Sequence, residues 1–245
     1  ADLRIAAIWQ KIKSADLQTV FAGTNTAMNY LNGRETLQAM DMAVSKLKRE
    51  EAQQFLFFQT DRASDLFHVA KEMTAFLSNE EKKLEHQETV FNSVDLEIIN
   101  SRLLSLKDIF WILEKDILGN LQKVLTLYGA EKSSVMKPAT FRKYRKLNLL
   151  LNALDRLEVR GRDSAGIQLT FILEDEKEMQ DVLRTIKKNG WNEAYHQRTQ
   201  PGDLVNLSIV IATAENTGGI SLTFTYKTHS IVGELGRNVV DLRHS

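Results

Sequence analysis

A chain of 245 residues has room for one large domain or two ordinary ones, and its 43% hydrophobic and 26% charged residues are typical of globular proteins. Its 32 lysines and arginines balance its 32 aspartates and glutamates, so neither nucleic acid nor a membrane surface is expected among its partners. The absence of cysteine excludes disulfides, thiolate metal ligands and thiol nucleophiles, and favours a reducing compartment, which we expect to be the cytoplasm.

The first half of the chain has the pattern of charged amphipathic helices. We predict helices over residues 2–21, 34–59 and 61–91. The Asn32-Gly33 pair forms a turn between the first two, and the Ser78-Asn79 pair is a candidate break in the third. Together with the helix that follows, they suggest an antiparallel bundle.

The strongest periodic signal lies between residues 92 and 129. Apolar residues recur there at alternating spacings of three and four, which places one stripe along a helix. Asn92 or Ser93 caps the start of this helix, and Gly129 ends it in the left-handed conformation. The stripe comprises Ile99, Leu103, Leu106, Phe110, Leu113, Ile117, Leu121, Val124 and Tyr128.

Glycine and proline divide the chain near residue 129. Residues 1–128 contain no proline and three of the twelve glycines, whereas both prolines and the other nine glycines follow. We therefore predict a helical bundle over residues 1–136 and an α/β segment over residues 137–245.

The second half alternates between helix and strand patterns. Helices are predicted over residues 140–157 and 174–190, and the second of these ends at a glycine. Strands are predicted over residues 167–173, 204–214 and 220–235, with one or two strands in the last range. The predicted fold class is therefore α+β.

Most arrangements of catalytic or metal-binding side chains are missing from the sequence. None of the five histidines has a second ligand at metal spacing, so we predict no metal and no cofactor. The basic run at residues 137–146 contains two aromatic residues and is compatible with phosphate binding, but a solvated helix face explains it better. Glu158 and Asp163 flank a turn, yet nothing in the sequence brings them together as an acid and base pair. No apolar run approaches the roughly 20 residues that a membrane-spanning helix needs.

The segment RLEVRGRDSAGIQL, residues 156–169, joins a predicted helix to a predicted strand. Gly161, next to Arg160, permits the left-handed turn that ends the helix. Asp163 and Ser164 can hydrogen-bond to amides of their own turn, and the small Ala165-Gly166 pair lets another backbone approach closely. A helix-to-strand corner without any ligand accounts for these residues. The predicted helix before it has an apolar face of Leu149, Leu150, Ala153, Leu154 and Leu157.

Two segments resemble class II glutamine amidotransferases, most closely the glucosamine-fructose-6-phosphate aminotransferases. LLLNALDRLEVRGRDSAGIQL is similar, without a gap, to the helix and turn near the start of that family, which typically read LRRLEYRGYDSAGI. FTYKTHSIVGELGRNVVDLR is similar to the next hairpin and helix start of the family. The departures are Val159 and Arg162, where tyrosines are usual, and an insertion at residues 174–217.

This resemblance implies an Ntn-type sandwich in a parent enzyme that hydrolyses glutamine and passes the ammonia to a sugar phosphate. Glutamine and a sugar phosphate are thus the implied ligands of the parent. Arg160, Gly161 and Asp163 are implied to bind substrate by shaping the wall near the nucleophile, and none of them is catalytic. The family's nucleophile is a processed N-terminal cysteine whose own amino group serves as base, and this chain has no cysteine.

The missing nucleophile leaves two interpretations open. In the one that we favour, the chain is an internal piece of a larger amidotransferase, with residues 1–136 inserted before the motif helix. In the other, the chain comes from a relative that has lost catalysis. A competing class of function is a non-catalytic interaction or scaffold module, in which the helical half is the working surface and the α/β half is a support derived from an amidotransferase.

The run Phe55-Leu56-Phe57-Phe58 is too continuous to be buried on one face of a helix. Part of it is expected to reach beyond the bundle, either onto the α/β half or onto a partner subunit. A homo-oligomer is therefore among the expected assemblies.

Overall fold

The computed structural model describes residues 2–87, 91–131, 133–158, 164–202, 205–214, 218–229 and 237–244. Its fold belongs to the general α+β class, as predicted, because most of the chain is helical and three strands form an antiparallel sheet. The chain divides into two compact units, Ala1–Asn148 and Leu149–Ser245. No helix among the described residues is both long and apolar enough to cross a membrane.

Helices build the first unit. They are α1 (Asp2–Lys13), α2 (Leu17–Phe21), α3 (Gly33–Ser45), α4 (Glu50–Phe58), α5 (Thr60–Gln87), α6 (Ser93–Trp111), α7 (Gly119–Tyr128) and the first part of α8 (Pro138–Glu158). A π-helical segment, Ile112–Leu118, joins α6 to α7. Short 3-10 segments lie at Ala27–Asn32, Lys46–Lys48 and Ser133–Val135.

The predicted stripe between residues 92 and 129 is confirmed as part of the core of this unit. The helices α6 and α7 and the π-helical segment between them follow one another without a break, and every stripe residue is buried or packed against buried neighbours. Asn92 caps the start by accepting a 2.9 Å hydrogen bond from the amide of Asp95. Gly129 ends the stripe at φ 72°, where the amide of Ala130 donates to the carbonyl of Leu125.

Two of the predicted helices are interrupted by residues with extended backbones. The predicted helix over residues 2–21 divides at Asp16, whose carboxylate accepts a 3.0 Å hydrogen bond from the amide of Thr19 and so starts a new helix. The predicted helix over residues 34–59 divides at Arg49, where ψ is 145°. Apolar periodicity continues across both breaks, so it does not reveal them.

The candidate break at Ser78 and Asn79 does not occur, because α5 continues through both residues. Their side chains are exposed between the buried residues Leu77 and Glu80, so the core-facing side of the helix is uninterrupted. The Asn32-Gly33 turn is confirmed. It has left-handed φ angles of 58° and 82° at these two residues.

The first part of α8 belongs to the core of the first unit. The ring of Phe141 is fully buried, and its centroid lies 4.6 Å from that of Phe57. The predicted domain boundary between residues 136 and 137 is a statement about which part of the chain folds on its own. It stays a prediction.

The predicted apolar face of α8 is wrong. Leu149, Leu150 and Leu157 are exposed, whereas Leu151 is buried. The buried register of this helix runs from Phe141 through Asn148 to Leu151, and its middle member is polar, so the register is hard to recognise from apolar spacing.

The second unit contains the sheet. Its strands are β1 (Ser164–Leu173), β2 (Ile209–Thr213) and β3 (Ile220–His229), in the order β1-β3-β2 with both pairs antiparallel. Its helices, besides the end of α8, are α9 (Glu176–Lys188), α10 (Asn192–Thr199) and α11 (Arg237–His244).

The predicted elements of this unit are confirmed except in two places. The strand predicted over residues 204–214 begins only at Ile209, because residues 205–208 form turns in which Leu207 has a left-handed φ of 54°. The short helix α10 is not among the predicted elements. The last predicted strand is observed up to His229, and residues 230–236 lie outside the described residues.

One face of the sheet is apolar and covered by helices. Because side chains alternate along a strand, Ile209, Leu222 and Phe224 share this face. The helices α9 and α10 pack against it with Met179, Ile186 and Tyr195. The opposite face is more polar and exposes Val210 and Ile172 among its hydroxyl-bearing residues. On this face the hydroxyl oxygens of Thr170 and Thr223 lie 3.0 Å apart across two strands.

Candidate functional site: the corner between two motif segments

The predicted substrate-binding residues Arg160, Gly161 and Asp163 lie outside the described residues. The two elements that hold their segment are described: α8 ends at Glu158, and β1 begins at Ser164. The predicted change from helix to strand at this place is therefore confirmed, whereas the roles of the three residues stay predictions.

We call the two stretches that resemble the amidotransferase family, residues 149–169 and 224–243, the motif segments. The register of the sheet brings the described parts of these two segments together. In the antiparallel pair of β1 and β3, Ser164 is the partner of His229. The chain therefore enters β1 at the end of the pair where it leaves β3. The start of β1 and the end of β3, which are far apart in the sequence, thus lie side by side at one corner of the second unit.

Gly166 allows β1 and β3 to approach closely next to this corner. A Cβ atom at Gly166 would lie 3.2 Å from the carbonyl oxygen of Tyr226 and 3.4 Å from Cγ of Lys227. The first distance is tighter than ordinary side-chain contacts, so a larger residue would require a small shift of the neighbouring strand. The close backbone approach predicted from the Ala165-Gly166 pair is confirmed.

Helix α11 forms the end of the second motif segment and packs against β1 and β3. Its residues Val239 and Leu242 are buried. Arg243 donates a 3.0 Å hydrogen bond from Nη2 to Oδ1 of Asn152 near the end of α8. Burial lowers the pKa of the Arg243 guanidinium, and the nearby carboxylate of Asp155 opposes that effect. The corner is thus held by two helices and two strands that are joined to one another.

Residues 174–217, the stretch that the family resemblance treats as an insertion, contain α9, α10 and β2. This stretch adds an edge strand to β3 and encloses a groove of about 690 Å³ between the two helices and β2. Burial raises the pKa of Tyr195 in the wall of this groove. Arg198 fastens the insertion to β3, because its guanidinium lies 4.6 Å from the ring centroid of Tyr226 and donates a 3.0 Å hydrogen bond to the carbonyl of Thr225.

The described histidine side chains make isolated contacts. His68 pairs with Glu72 at 3.1 Å, and Nδ1 of His86 lies 2.8 Å from the carbonyl of Lys82. His196 lines the groove beside β2. Within the described ranges, no three histidine, aspartate or glutamate side chains form a group that could hold a metal ion.

The basic run at residues 137–146 is a helix face with its aromatic residues turned inward. Phe141 is fully buried, and the ring of Tyr144 packs edge-on against that of Tyr128 at 5.3 Å. Arg145 donates a 2.6 Å hydrogen bond from Nε to Oε1 of Gln53. These rings are not available to stack on bases, which supports the interpretation as a solvated helix face.

A buried polar network beside the π-helical segment was missed by sequence reasoning. The carbonyl of Asp116 accepts hydrogen bonds from the side-chain amides of Asn120 at 2.7 Å and Gln53 at 3.4 Å. Asn148, which is 1% exposed, donates a 2.8 Å hydrogen bond to Oδ1 of Asn120. A π-helix changes the hydrogen-bonding pattern of backbone carbonyls, and here side chains supply the additional donors. Asn148 lies on the same side of α8 as the buried residues Phe141 and Leu151. A polar residue at such a core position is the sequence signal that could have indicated this network.

No protein-family model, no curated protein and no solved structure matches this chain.

Proposed function

We propose that the chain is part of a glutamine amidotransferase-like protein, whose second unit is a portion of an Ntn-type sandwich. The parent hydrolyses glutamine and supplies the ammonia for synthesis of an amino-sugar phosphate. The observation that carries this proposal is the pairing of Ser164 with His229, because it joins the two segments that resemble the family at one corner.

The three predicted substrate-binding residues have chemistry that suits glutamine. Free glutamine carries a carboxylate and an ammonium group, which a guanidinium and a carboxylate bind respectively. In the proposal Arg160 and Asp163 provide these two charges, and Gly161 provides the tight turn between them. The segment binds and orients substrate and performs no bond-making step.

The nucleophile of the parent lies outside this chain, because the sequence has no cysteine. The cleavage of an amide by this family needs a thiolate, with the amino group of the same cysteine as the base. We therefore expect no release of glutamate from glutamine by this chain alone.

A second candidate is a non-catalytic interaction or scaffold module. It is favoured by the first unit, which has a core of its own in which residues such as Trp9, Tyr30 and Phe141 are almost fully buried. Phe55 of this unit is 56% exposed, in keeping with the expectation that part of the Phe55-Leu56-Phe57-Phe58 run is left for another surface.

The decisive experiment uses the complete product of the gene that encodes this chain. We expect it to release glutamate from glutamine, and we expect Arg160→Ala and Asp163→Asn each to lower kcat/KM at least about tenfold, since each removes one charged contact. Glu193→Gln, at an exposed position of α10, is the matched control and leaves kcat/KM unchanged. A complete product that releases no glutamate contradicts the proposal and favours the interaction module. Site variants that behave like the control contradict the assigned roles.

A further inference from the structure

A groove of about 770 Å³ lies on the first unit between α3 and α6. This volume is in the range of pockets that bind small molecules. The two helices run in the same direction. Arg102 of α6 contacts Tyr30 just before α3, and Asp116, beyond the end of α6, pairs with Lys48 just after α3 at 3.0 Å. The groove therefore has one end near the start of α3 and a second end further along both helices.

Arg102 is a buried cation at the first end of the groove. It is 9% exposed, and its Nη1 donates a 2.8 Å hydrogen bond to the backbone carbonyl of Tyr30. No carboxylate of the described residues lies within salt-bridge distance of it, and burial lowers the pKa of its guanidinium. A buried charge without a counterion is unfavourable, and this side chain lines the groove.

The backbone that Arg102 holds is strained. Leu31 and Asn32 have left-handed φ angles of 55° and 58°, and Gly33 follows at 82°. Left-handed backbone is unfavourable for residues other than glycine, and such strain persists only where the surrounding structure imposes it. Leu31 is fully buried, and its amide donates to the carbonyl of Ala15 at 2.8 Å, so the turn is fixed in place next to the groove.

The two ends of the groove carry opposite charges. The first end has the guanidinium groups of Arg102 and Arg34 and one carboxylate, that of Glu97. Asp41 and Asp108 line the second end. Because a helix rises 1.5 Å per residue, the seven residues from Arg34 to Asp41 span about 10 Å.

We propose that this groove binds a small elongated zwitterion, with its carboxylate at Arg102 and its cationic group between Asp41 and Asp108. A guanidinium binds a carboxylate through two parallel hydrogen bonds, and a ligand carboxylate supplies the counterion that Arg102 lacks. The walls between the ends include Leu37 and Ile109, which accept a chain of methylene groups. Ligands with several negative charges are disfavoured, because the aspartates repel them. Lysine, arginine and short peptides share the chemistry of the proposed ligand.

Three matched probes test this proposal on the whole chain. Calorimetric titration with 6-aminohexanoate measures binding of a carboxylate and an ammonium group joined by five methylenes. Hexanoate lacks the ammonium group and hexylamine lacks the carboxylate, so each is expected to bind at least about tenfold more weakly, a loss of about 1.4 kcal/mol. The proposal is overturned if 6-aminohexanoate shows no binding at about 20 mM, or if hexanoate binds as tightly as 6-aminohexanoate.

Variants at both ends identify the groove as the binding site. Asp41→Asn combined with Asp108→Asn lowers the affinity for 6-aminohexanoate to that for hexanoate. Asp65→Asn removes an exposed acid of α5 outside the groove and leaves the affinity unchanged. Arg102→Gln abolishes binding, and its folding is checked by circular dichroism because the substitution also removes the hydrogen bond to Tyr30.

Arg34→Gln probes the same end without disturbing the buried turn, since Arg34 is exposed. It is expected to weaken 6-aminohexanoate binding several-fold and to leave hexylamine binding unchanged. Unchanged affinity for 6-aminohexanoate in both this variant and the double aspartate variant overturns the proposal. Neither outcome bears on glutamine hydrolysis, because the groove lies in the first unit and the motif corner lies in the second.

Discussion

Glu80 is fully buried in α5, and both of its carboxylate oxygens have partners. One accepts a 2.7 Å hydrogen bond from the amide of Leu17, and the other accepts a 3.0 Å hydrogen bond from the ammonium group of Lys83. Burial, together with the charge of this carboxylate, raises the pKa of Tyr30. These contacts attach the start of α2 to the C-terminal third of α5. Glu80 occupies one position in a buried register of alternating fours and threes formed by Leu66, Ala70, Met73, Leu77 and Leu84.

Replacing Glu80 by alanine is expected to lower the free energy of unfolding by about 2–4 kcal/mol, because it leaves the amide of Leu17 and the ammonium group of Lys83 without their partner. Urea denaturation measures the change. The adjacent Glu81 pairs with Lys107 at 2.5 Å in an exposed ion pair, so Glu81→Ala is the matched control with a change within about 0.5 kcal/mol. Equal effects of the two substitutions would show that the carboxylate of Glu80 has no special role in stability.

At the scale of elements, periodicity and caps were predictable where the deciding interactions are local. Apolar spacing alone was enough to predict the stripe from Ile99 to Tyr128. The residue types of Asn92 and Gly129 were enough to predict where this helical stretch begins and ends. The helix α10 was missed because Tyr195 is its sole buried residue, so it has no apolar stripe. The register of α8 was assigned to the wrong face because Asn148, a polar residue, occupies a core position that the tertiary network satisfies. The meeting of β1 with β3 depends on long-range pairing, which no local pattern contains.

The first part of α8 is expected to complete the helical bundle. A fragment of residues 1–148 should unfold cooperatively as a monomer, whereas a fragment of residues 1–136 loses Phe141 and Arg145. The loss of the Phe141 ring, which packs on the ring of Phe57, is by itself expected to lower the free energy of unfolding by about 3–5 kcal/mol, as for other buried aromatic side chains. Thermal unfolding followed by circular dichroism compares the two. Equal melting temperatures would place the folding boundary at residue 136, and aggregation of both fragments would make the helices an integral layer of the larger protein.

At the scale of the whole molecule, the proposed function treats two regions, residues 1–136 and residues 174–217, as insertions, and together they make up most of the chain. The first region precedes both motif segments and the second lies between them, yet the strands β1 and β3 pair in one register over ten residues each. Each of the two regions has buried residues of its own, with Trp9 and Leu106 in the first and Met179 and Tyr195 in the second. Insertions are tolerated when they pack on themselves and leave the ends of the flanking elements close together.

Cross-linking of β1 to β3 tests most directly whether the two motif segments meet at one corner. The chain has no cysteine, so the double variant Ala165→Cys with Thr228→Cys introduces one pair, at positions that are partners across the strands. Opposite residues of an antiparallel pair have Cα atoms about 4.5–5.5 Å apart, which a disulfide can span. The control pair, Ala165→Cys with Ser221→Cys, is displaced by about 23 Å along β3 at roughly 3.3 Å per residue.

We predict rapid intramolecular disulfide formation under mild oxidation in the first variant and only slow background oxidation in the control. Failure of the first pair to cross-link, or equal cross-linking of both pairs, would contradict the meeting of the two segments and with it the basis of the proposed function.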